Sequence, residues 1–165
     1  MNAPRGPCDL HLHSHYSDGT MSPDELVGFA ASIGLSAVSI TDHDTMDGQA
    51  EALDAGARHG IEVVPGLEFS IEEGGASCHI LGYCVDPGNE ELASKLMALA
   101  ARRIERAREI VRLLAERDME LSFDDLLEEA GKGSVGRPHI ARLLHRRGHV
   151  ATVAEAFTRW IADGA

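Results

Sequence analysis

The chain has 165 residues, 44% of them apolar, and a formal net charge of −12 at pH 7. This length suits one domain of ordinary globular composition, and the negative charge argues against a generally basic nucleic-acid-binding surface, so we expect no stable DNA complex. Three cysteines without CxxC spacing, and the lack of an apolar run long enough to span a bilayer, lead us to expect a cytoplasmic protein without a membrane contact.

The first predicted strand covers residues 7–13 and carries two histidines. Its leucines alternate with an aspartate and these histidines, which is strand periodicity. His11 and His13 therefore project from the same face, roughly 6.5 to 7 Å apart at Cα, where two imidazoles can converge on one divalent ion or on adjacent ions. Asp18 follows in a turn marked by Gly19 and can fold its carboxylate back toward them.

The next segments alternate between helices and strands. Helices are predicted over 23–33 and 47–59, and strands over 35–40, 61–65 and 78–83. The segment 67–71, which contains Glu68, is followed by a glycine turn at Gly74–Gly75. The first helix opens with a capping box formed by Ser22 and Glu25. Its predicted apolar face consists of Leu26, Phe29, Ala30 and Ile33. Alternation up to about Val85 implies parallel strands joined by right-handed crossovers.

From about Asn89 onward the pattern is helical. Helices are predicted over 89–117, 123–130, 137–147 and 152–161, with a loop at 131–136 and no further strand. We therefore predict an α/β part at residues 1–88 and a helical subdomain at residues 89–165.

Polar residues cluster at or just beyond the carboxyl ends of the predicted strands, where α/β folds build their sites. Together with the first segment, they are His11, His13, Asp18, Asp42, His43, Asp44, Glu68 and His79. Imidazoles mixed with carboxylates suit Mn²⁺, Zn²⁺ or Fe²⁺ better than Ca²⁺ or Mg²⁺ alone. There are more candidate ligands than one ion needs. A site with two or three ions can bind and activate a phosphate ester.

These residue types also allow purely structural roles. His43 could cap the helix that follows it, and a lone histidine in an apolar strand, such as His79, is usually a core residue. Asp42 and Asp44 could orient His43 or cap the same helix instead of binding metal.

The order and spacing of these residues resemble the PHP (polymerase and histidinol phosphatase) family of metal-dependent phosphoesterases. The motifs are Asp9-x-His11-x-His13-x4-Asp18-Gly19, Thr41-Asp42-His43-Asp44, Pro65-Gly66-x-Glu68 and His79-Ile80-Leu81-Gly82. The resemblance extends to bacterial members that hydrolyse nucleotide or RNA phosphates. Those members carry a helical insertion similar to the residues from about Asn89 onward.

The resemblance implies a distorted seven-stranded (β/α) barrel with a trinuclear site, of which this chain would form the N-terminal part. It implies metal roles for His11, His13, Asp18, His43, Glu68 and His79. We expect two or three divalent ions and favour Mn²⁺ over Zn²⁺ or Fe²⁺. Gly136-Arg137-Pro138-His139 is similar to the family's substrate-phosphate segment, and an arginine and a histidine at a helix N-terminus make a good anion clamp.

The expected function is hydrolysis of a small phosphate ester, a nucleotide or a short RNA end. Histidinol-phosphate phosphatase activity and a non-catalytic metal-binding module are the alternatives. The family supplies further ligands from later His-Pro and Asp-x-His segments, and this sequence ends at Ala165 before either. We therefore expect a fragment, or a reduced form that needs a partner, with weak hydrolysis by this chain alone.

Overall fold

Five strands and six helices lie in the part of the chain that the computed structural model describes, residues 6–73 and 76–161. In chain order they are β1 (Cys8–Leu12), α1 (Pro23–Ser32), β2 (Ala37–Ile40), α2 (Gln49–His59), β3 (Glu62–Val63), β4 (Gly66–Glu73), β5 (Ala76–Tyr83), α3 (Glu90–Ala115), α4 (Phe123–Ala130), α5 (Arg137–Arg146) and α6 (Val153–Arg159). The predicted elements are all present, with bounds that differ by a few residues, and β4 is a strand that was not predicted.

The strands form two separate sheets. Strands β1, β2 and β3 lie side by side in this order and are parallel, as predicted. Strands β4 and β5 instead form an antiparallel hairpin, so the expectation of parallel strands up to Val85 is wrong for these two. Two strands joined by a link of a few residues must pair antiparallel, because a parallel pair needs a crossover of a dozen residues or more. The predicted turn residues Gly74 and Gly75 lie outside the described residues.

A glutamine side chain joins the two sheets. Gln49, the first residue of α2, donates from its amide nitrogen to the carbonyl oxygens of Ile40 (2.8 Å) and Gly66 (2.9 Å). Its amide oxygen accepts from the backbone N–H of Gly66 at 3.4 Å. Gln49 is 1% exposed, so these bonds are shielded from water. The amide thereby connects the end of β2 to the start of β4.

Helix ends follow the predicted signals. The Ser22 hydroxyl accepts from the backbone of Glu25 at 3.2 Å, and the Glu25 carboxylate accepts from the backbone of Ser22 at 2.8 Å. Helix α2 ends at Gly60, whose φ of 70° is in the left-handed region that favours glycine. The local sequence is therefore sufficient to set these helix boundaries.

Helix α1 buries only part of the predicted face, since Ala30 is buried and Leu26 packs against the core, as predicted. Phe29 and Ile33 are 58% and 59% exposed, whereas Val27 is fully buried. The inward face is made of small or branched residues because α1 packs closely on α2, whose buried residues include Ala52 and Ala55. The expected apolar stripe is therefore wrong at Phe29 and Ile33.

Two hydrophobic clusters occupy different parts of the chain. The buried residues of the first are Val27, Ala30, Val38, Ile40, Ala52, Ala55 and Ile61. The buried residues of the second are Ala107, Leu114, Met119, Leu126, Ala130, Val135, Ile140, Ala141, Leu143, Leu144, Val150, Ala156 and Ile161. Within residues 6–73 and 76–161, no helix combines the length and apolarity needed to cross a bilayer.

Candidate metal centre

Four imidazoles stand in a row above one buried carboxylate. The ring centroids of His11 and His13 are 5.1 Å apart, those of His13 and His43 are 4.6 Å apart, and those of His43 and His79 are 4.9 Å apart. The carboxylate oxygens of Glu68 lie 2.6 to 3.8 Å from a ring nitrogen of each. Glu68 is therefore the common neighbour of the whole row.

Backbone pairing fixes the middle of this row. His43 and Glu68 form an isolated parallel bridge between the end of β2 and the start of β4. The backbone N–H of Glu68 donates to the Asp42 carbonyl at 3.2 Å, and that of Asp44 donates to the Glu68 carbonyl at 3.0 Å. On the neighbouring strand, His79 pairs with Ser70 in the hairpin register. All three candidate ligands therefore follow from strand geometry.

The loop that carries Asp18 is held by a buried carboxylate. Asp42 accepts hydrogen bonds from the Ser14 backbone (2.7 Å), the Ser14 hydroxyl (2.6 Å) and the Ser17 hydroxyl (2.6 Å). The three residues are each at most 1% exposed. The Asp18 carboxylate reaches within 3.3 Å of His13 Nδ1 and 3.8 Å of His43 Nε2. Asp42 thus shapes the loop rather than capping the next helix.

The protonation states in this cluster suit metal ligands. Burial and then the positive charge of Arg103 lower the pKa of His43 from 6.5 to about 4, so its ring is neutral at pH 7. Burial opposes ionisation of Glu68, but the hydrogen bonds from His11 and His79 help to outweigh it and lower the pKa of the carboxyl group. The cluster therefore offers a neutral imidazole beside an ionised carboxylate, as metal binding requires.

The donor atoms also lie near the spacing that shared ions need. Three groups have ligand atoms within 4.8 Å of one another: His11 with His13 and Glu68, His13 with Asp18 and His43, and His43 with Glu68 and His79. Atoms bound to one ion at about 2.1 Å lie roughly 3.0 to 3.5 Å apart. His43 Nδ1 is buried without a hydrogen-bond partner among the described residues. A cation would satisfy this nitrogen, so the donor set fits divalent metal.

Arginines face this cluster across a cavity of about 570 Å³. Asp18, His43 and His79 lie on its wall, and so do the arginines Arg102, Arg103, Arg106 and Arg137. The first three are on α3, and Arg137 opens α5. Candidate metal ligands and arginines that can bind anions therefore line the same cavity.

Of the two residues predicted to bind an anion, Arg137 lines the cavity and His139 does not. Arg137 is partly buried and lines the cavity. His139 is 2% exposed, and its Nδ1 accepts from the backbone N–H of Gly136 at 3.1 Å. Burial, and next the charge of Arg142, lower the pKa of His139, which favours the neutral ring. His139 therefore lies behind the segment that presents Arg137.

The roles of several residues around the cluster were not predicted from the sequence. Asp42 was expected to orient His43 or cap a helix, but it holds the loop before Asp18. Asp44 instead accepts from the backbone of Ser70 at 2.8 Å and from Arg103 Nε at 2.5 Å. The arginines of α3 went unnoticed, although residues four apart on a helix share a face and could have indicated a basic wall.

The chain matches the family described as "PHP domain" over residues 9–160. It belongs to the PHP domain family. All the candidate metal ligands lie within the matched residues.

Individual relatives extend this assignment. The chain is 34% identical over 157 residues to the 3′,5′-nucleoside bisphosphate phosphatase of Chromobacterium violaceum, covering 94% of this chain and 55% of the relative. It is 36% identical over 156 residues to a 5′-3′ exoribonuclease of Haemophilus influenzae, covering 94% and 57%. The chain thus spans little more than half the length of these PHP relatives.

Solved PHP-like structures share the fold. A protein from Bifidobacterium adolescentis assigned to the metal-dependent phosphoesterases superposes with a TM-score of 0.88 at 34% identity, covering 99% of this chain and 58% of that one. An amidohydrolase from Chromobacterium violaceum, solved with bound sulfate and no metal, gives a TM-score of 0.87 at 34% identity, covering 95% and 56%.

Proposed function

We propose that this PHP domain is the metal-binding part of a hydrolase that cleaves phosphate esters of nucleotides or of short RNA ends. The observation that carries the proposal is the cavity in which candidate metal ligands face four arginines. Two relatives named as a bisphosphate phosphatase and an exoribonuclease support the nucleotide substrate class. In the complete protein, we expect the sheets to be part of the seven-stranded barrel implied by the resemblance.

His11, His13, Asp18, His43, Glu68 and His79 would hold two or three divalent ions, with Mn²⁺ favoured. Ions bound there would polarise the phosphate oxygens and lower the pKa of a water molecule. Arg137 would contact a phosphate oxygen through its guanidinium group, whose fixed N–H donors suit phosphate. His139 would support this contact by fixing the backbone at Gly136, to which it is hydrogen-bonded.

The metal assignment is tested by replacing His11 and His13 together with alanine. We expect the variant to lose most of the Mn²⁺ that the unaltered chain retains in elemental analysis. The matched control replaces His59 and His149, which lie outside the cluster, and should retain the metal. Unchanged stoichiometry in the His11/His13 variant would refute these ligands.

The substrate assignment is tested with Arg137→Ala in the complete protein. Losing a charge-assisted contact costs about 1.5 to 3 kcal/mol, which is roughly 10- to 150-fold in phosphate affinity or kcat/KM. We expect metal content to stay unchanged and the loss to appear with adenosine 3′,5′-bisphosphate and short RNA. Histidinol phosphate serves as the competing substrate. Preferential binding and hydrolysis of histidinol phosphate would contradict the proposed substrate class.

A further inference from the structure

One arginine of helix α3 connects three segments of the site. Arg103 Nε donates to the Asp44 carboxylate at 2.5 Å, Nη2 donates to the Ser70 hydroxyl, and Nη1 donates to the Val135 carbonyl at 3.4 Å. The Asp44 side chain is 1% exposed and that of Arg103 is 18% exposed. The guanidinium group therefore lies at the junction of the β2–α2 loop, β4 and the loop before α5.

The bond between Arg103 and Asp44 depends on the shape of both side chains and on the backbone of Asp44. A planar guanidinium presents N–H groups in fixed directions, which an ammonium group cannot reproduce. Asp44 has a φ of 52°, a left-handed conformation that is uncommon outside glycine. Its second oxygen accepts from the Ser70 backbone at 2.8 Å. The carboxylate is thus held from two sides and directs the arginine.

The three acceptors adjoin residues that the proposed function uses. Asp44 follows His43 directly, and Ser70 pairs with His79 in the hairpin. Val135 is two residues before Arg137, and a Cβ added at Gly136 would lie 3.4 Å from Arg103 Nη1. The guanidinium group of Arg103 therefore joins the strands of the candidate metal ligands to the segment that presents Arg137.

We propose that Arg103 is a positioning residue that sets the distance between the metal cluster and the Arg137 segment. The inference rests on the proposed function, because it assigns the phosphate contact to Arg137. Three of the N–H groups of Arg103 are used by the protein itself. The inference therefore assigns the contribution of Arg103 to the placement of Arg137, and the cycle below tests for a phosphate contact through its two remaining N–H groups.

A double-mutant cycle separates these roles. Binding of inorganic phosphate and of adenosine 3′,5′-bisphosphate is measured calorimetrically for Arg103→Gln, Arg137→Ala and the double variant, with and without Mn²⁺. Supporting residues typically contribute about tenfold or more, so we expect Arg103→Gln to weaken binding by that factor. In the Arg137→Ala background the same change should have less than about a twofold effect, because there is no contact left to position. Mn²⁺ content should be unchanged throughout.

Three further variants separate the proposed role from general misfolding. Asp44→Asn keeps the acceptor for the Ser70 backbone and removes the charge that directs Arg103, so it should reproduce the Arg103→Gln effect. Arg103→Lys keeps the charge and should not restore binding. Arg112→Gln, which removes an exposed arginine of the same helix bonded to Glu109 and Glu116, is the matched control and should bind like the unaltered chain. Unfolding by urea is followed for every variant.

The outcomes are distinct. The inference would be overturned if the affinity losses of Arg103→Gln and Arg137→Ala multiplied in the double variant. Such independent effects would mean that Arg103 contacts the phosphate directly. Unaltered binding in both Arg103→Gln and Asp44→Asn would overturn it too, and would leave the proposed function intact. No loss in Arg137→Ala would refute the phosphate contact in the proposed function and, with it, the positioning role.

Discussion

Replacing Asp42 with alanine tests whether one buried carboxylate holds the loop that carries two candidate metal ligands. Asp42 accepts three hydrogen bonds of 2.6 to 2.7 Å, from the backbone and hydroxyl of Ser14 and from the hydroxyl of Ser17. His13 precedes this loop and Asp18 ends it. The substitution removes all three bonds without touching a candidate ligand.

The expected loss of stability is large because Asp42, Ser14 and Ser17 are shielded from water. Hydrogen bonds to a charged group contribute about 1.5 to 3 kcal/mol each, and unpaired buried donors add a desolvation penalty. These contributions are not additive, so we expect the free energy of unfolding to fall by about 3 to 5 kcal/mol. Asp42→Asn keeps one acceptor oxygen and should lose about 1 to 2 kcal/mol. Because the loop positions two candidate ligands, Mn²⁺ affinity should fall roughly 10- to 100-fold in the alanine variant.

Urea unfolding and calorimetric Mn²⁺ titration measure the two effects separately. Asp24→Ala is the control, since it removes an aspartate that pairs with Arg58 and His59 on the surface of α1 and α2. It should leave the Mn²⁺ affinity unchanged. If Asp42→Ala kept both the unfolding midpoint and the Mn²⁺ affinity of the unaltered chain, the loop would be held by something else and the reasoning would be wrong.

Two further results are expected. Gln49→Met should lower the free energy of unfolding by about 2 to 4 kcal/mol, because it leaves buried backbone groups of Ile40 and Gly66 unpaired; a change below about 0.5 kcal/mol in urea unfolding would show that Gln49 does not join the sheets. Without metal, stability should fall as the pH drops from 6.5 toward about 4, since unfolded His43 takes up a proton at its ordinary pKa while the folded ring stays neutral. The lowered pKa of Glu68 adds a loss in the same direction below 4.5, and an equal pH dependence in His43→Gln would rule out His43 as the source.

The sequence predicted the convergence of the site well because its residues follow short, regular strands. Alternation at His11 and His13 placed two imidazoles together, and the positions of His43 and Glu68 after strands brought them to one edge. The hairpin was missed although its signal was present: the strands before and after Gly74–Gly75 are too close in sequence for a crossover. Counting that short link would have corrected the direction of β5.

Side chains that act across long sequence distances could not be predicted in the same way. Arg103 is one of several arginines in a 26-residue helix, and nothing in its local pattern distinguishes it. Its partner Asp44 is 59 residues away. Gln49 likewise resembles any polar residue at a helix start, and only the packing of two sheets shows that its amide is buried.

The separation of the candidate site along the chain affects how such a domain can diversify. The candidate metal ligands all lie between His11 and His79, whereas the cavity arginines lie between Arg102 and Arg137. Under the proposed function, substitutions in the helices could alter which phosphate ester binds while the strands keep the candidate metal ligands. Arg103 is the exception, because its bonds reach back to Asp44 and Ser70. A lineage that exchanges its helical part for another must retain or replace this connection.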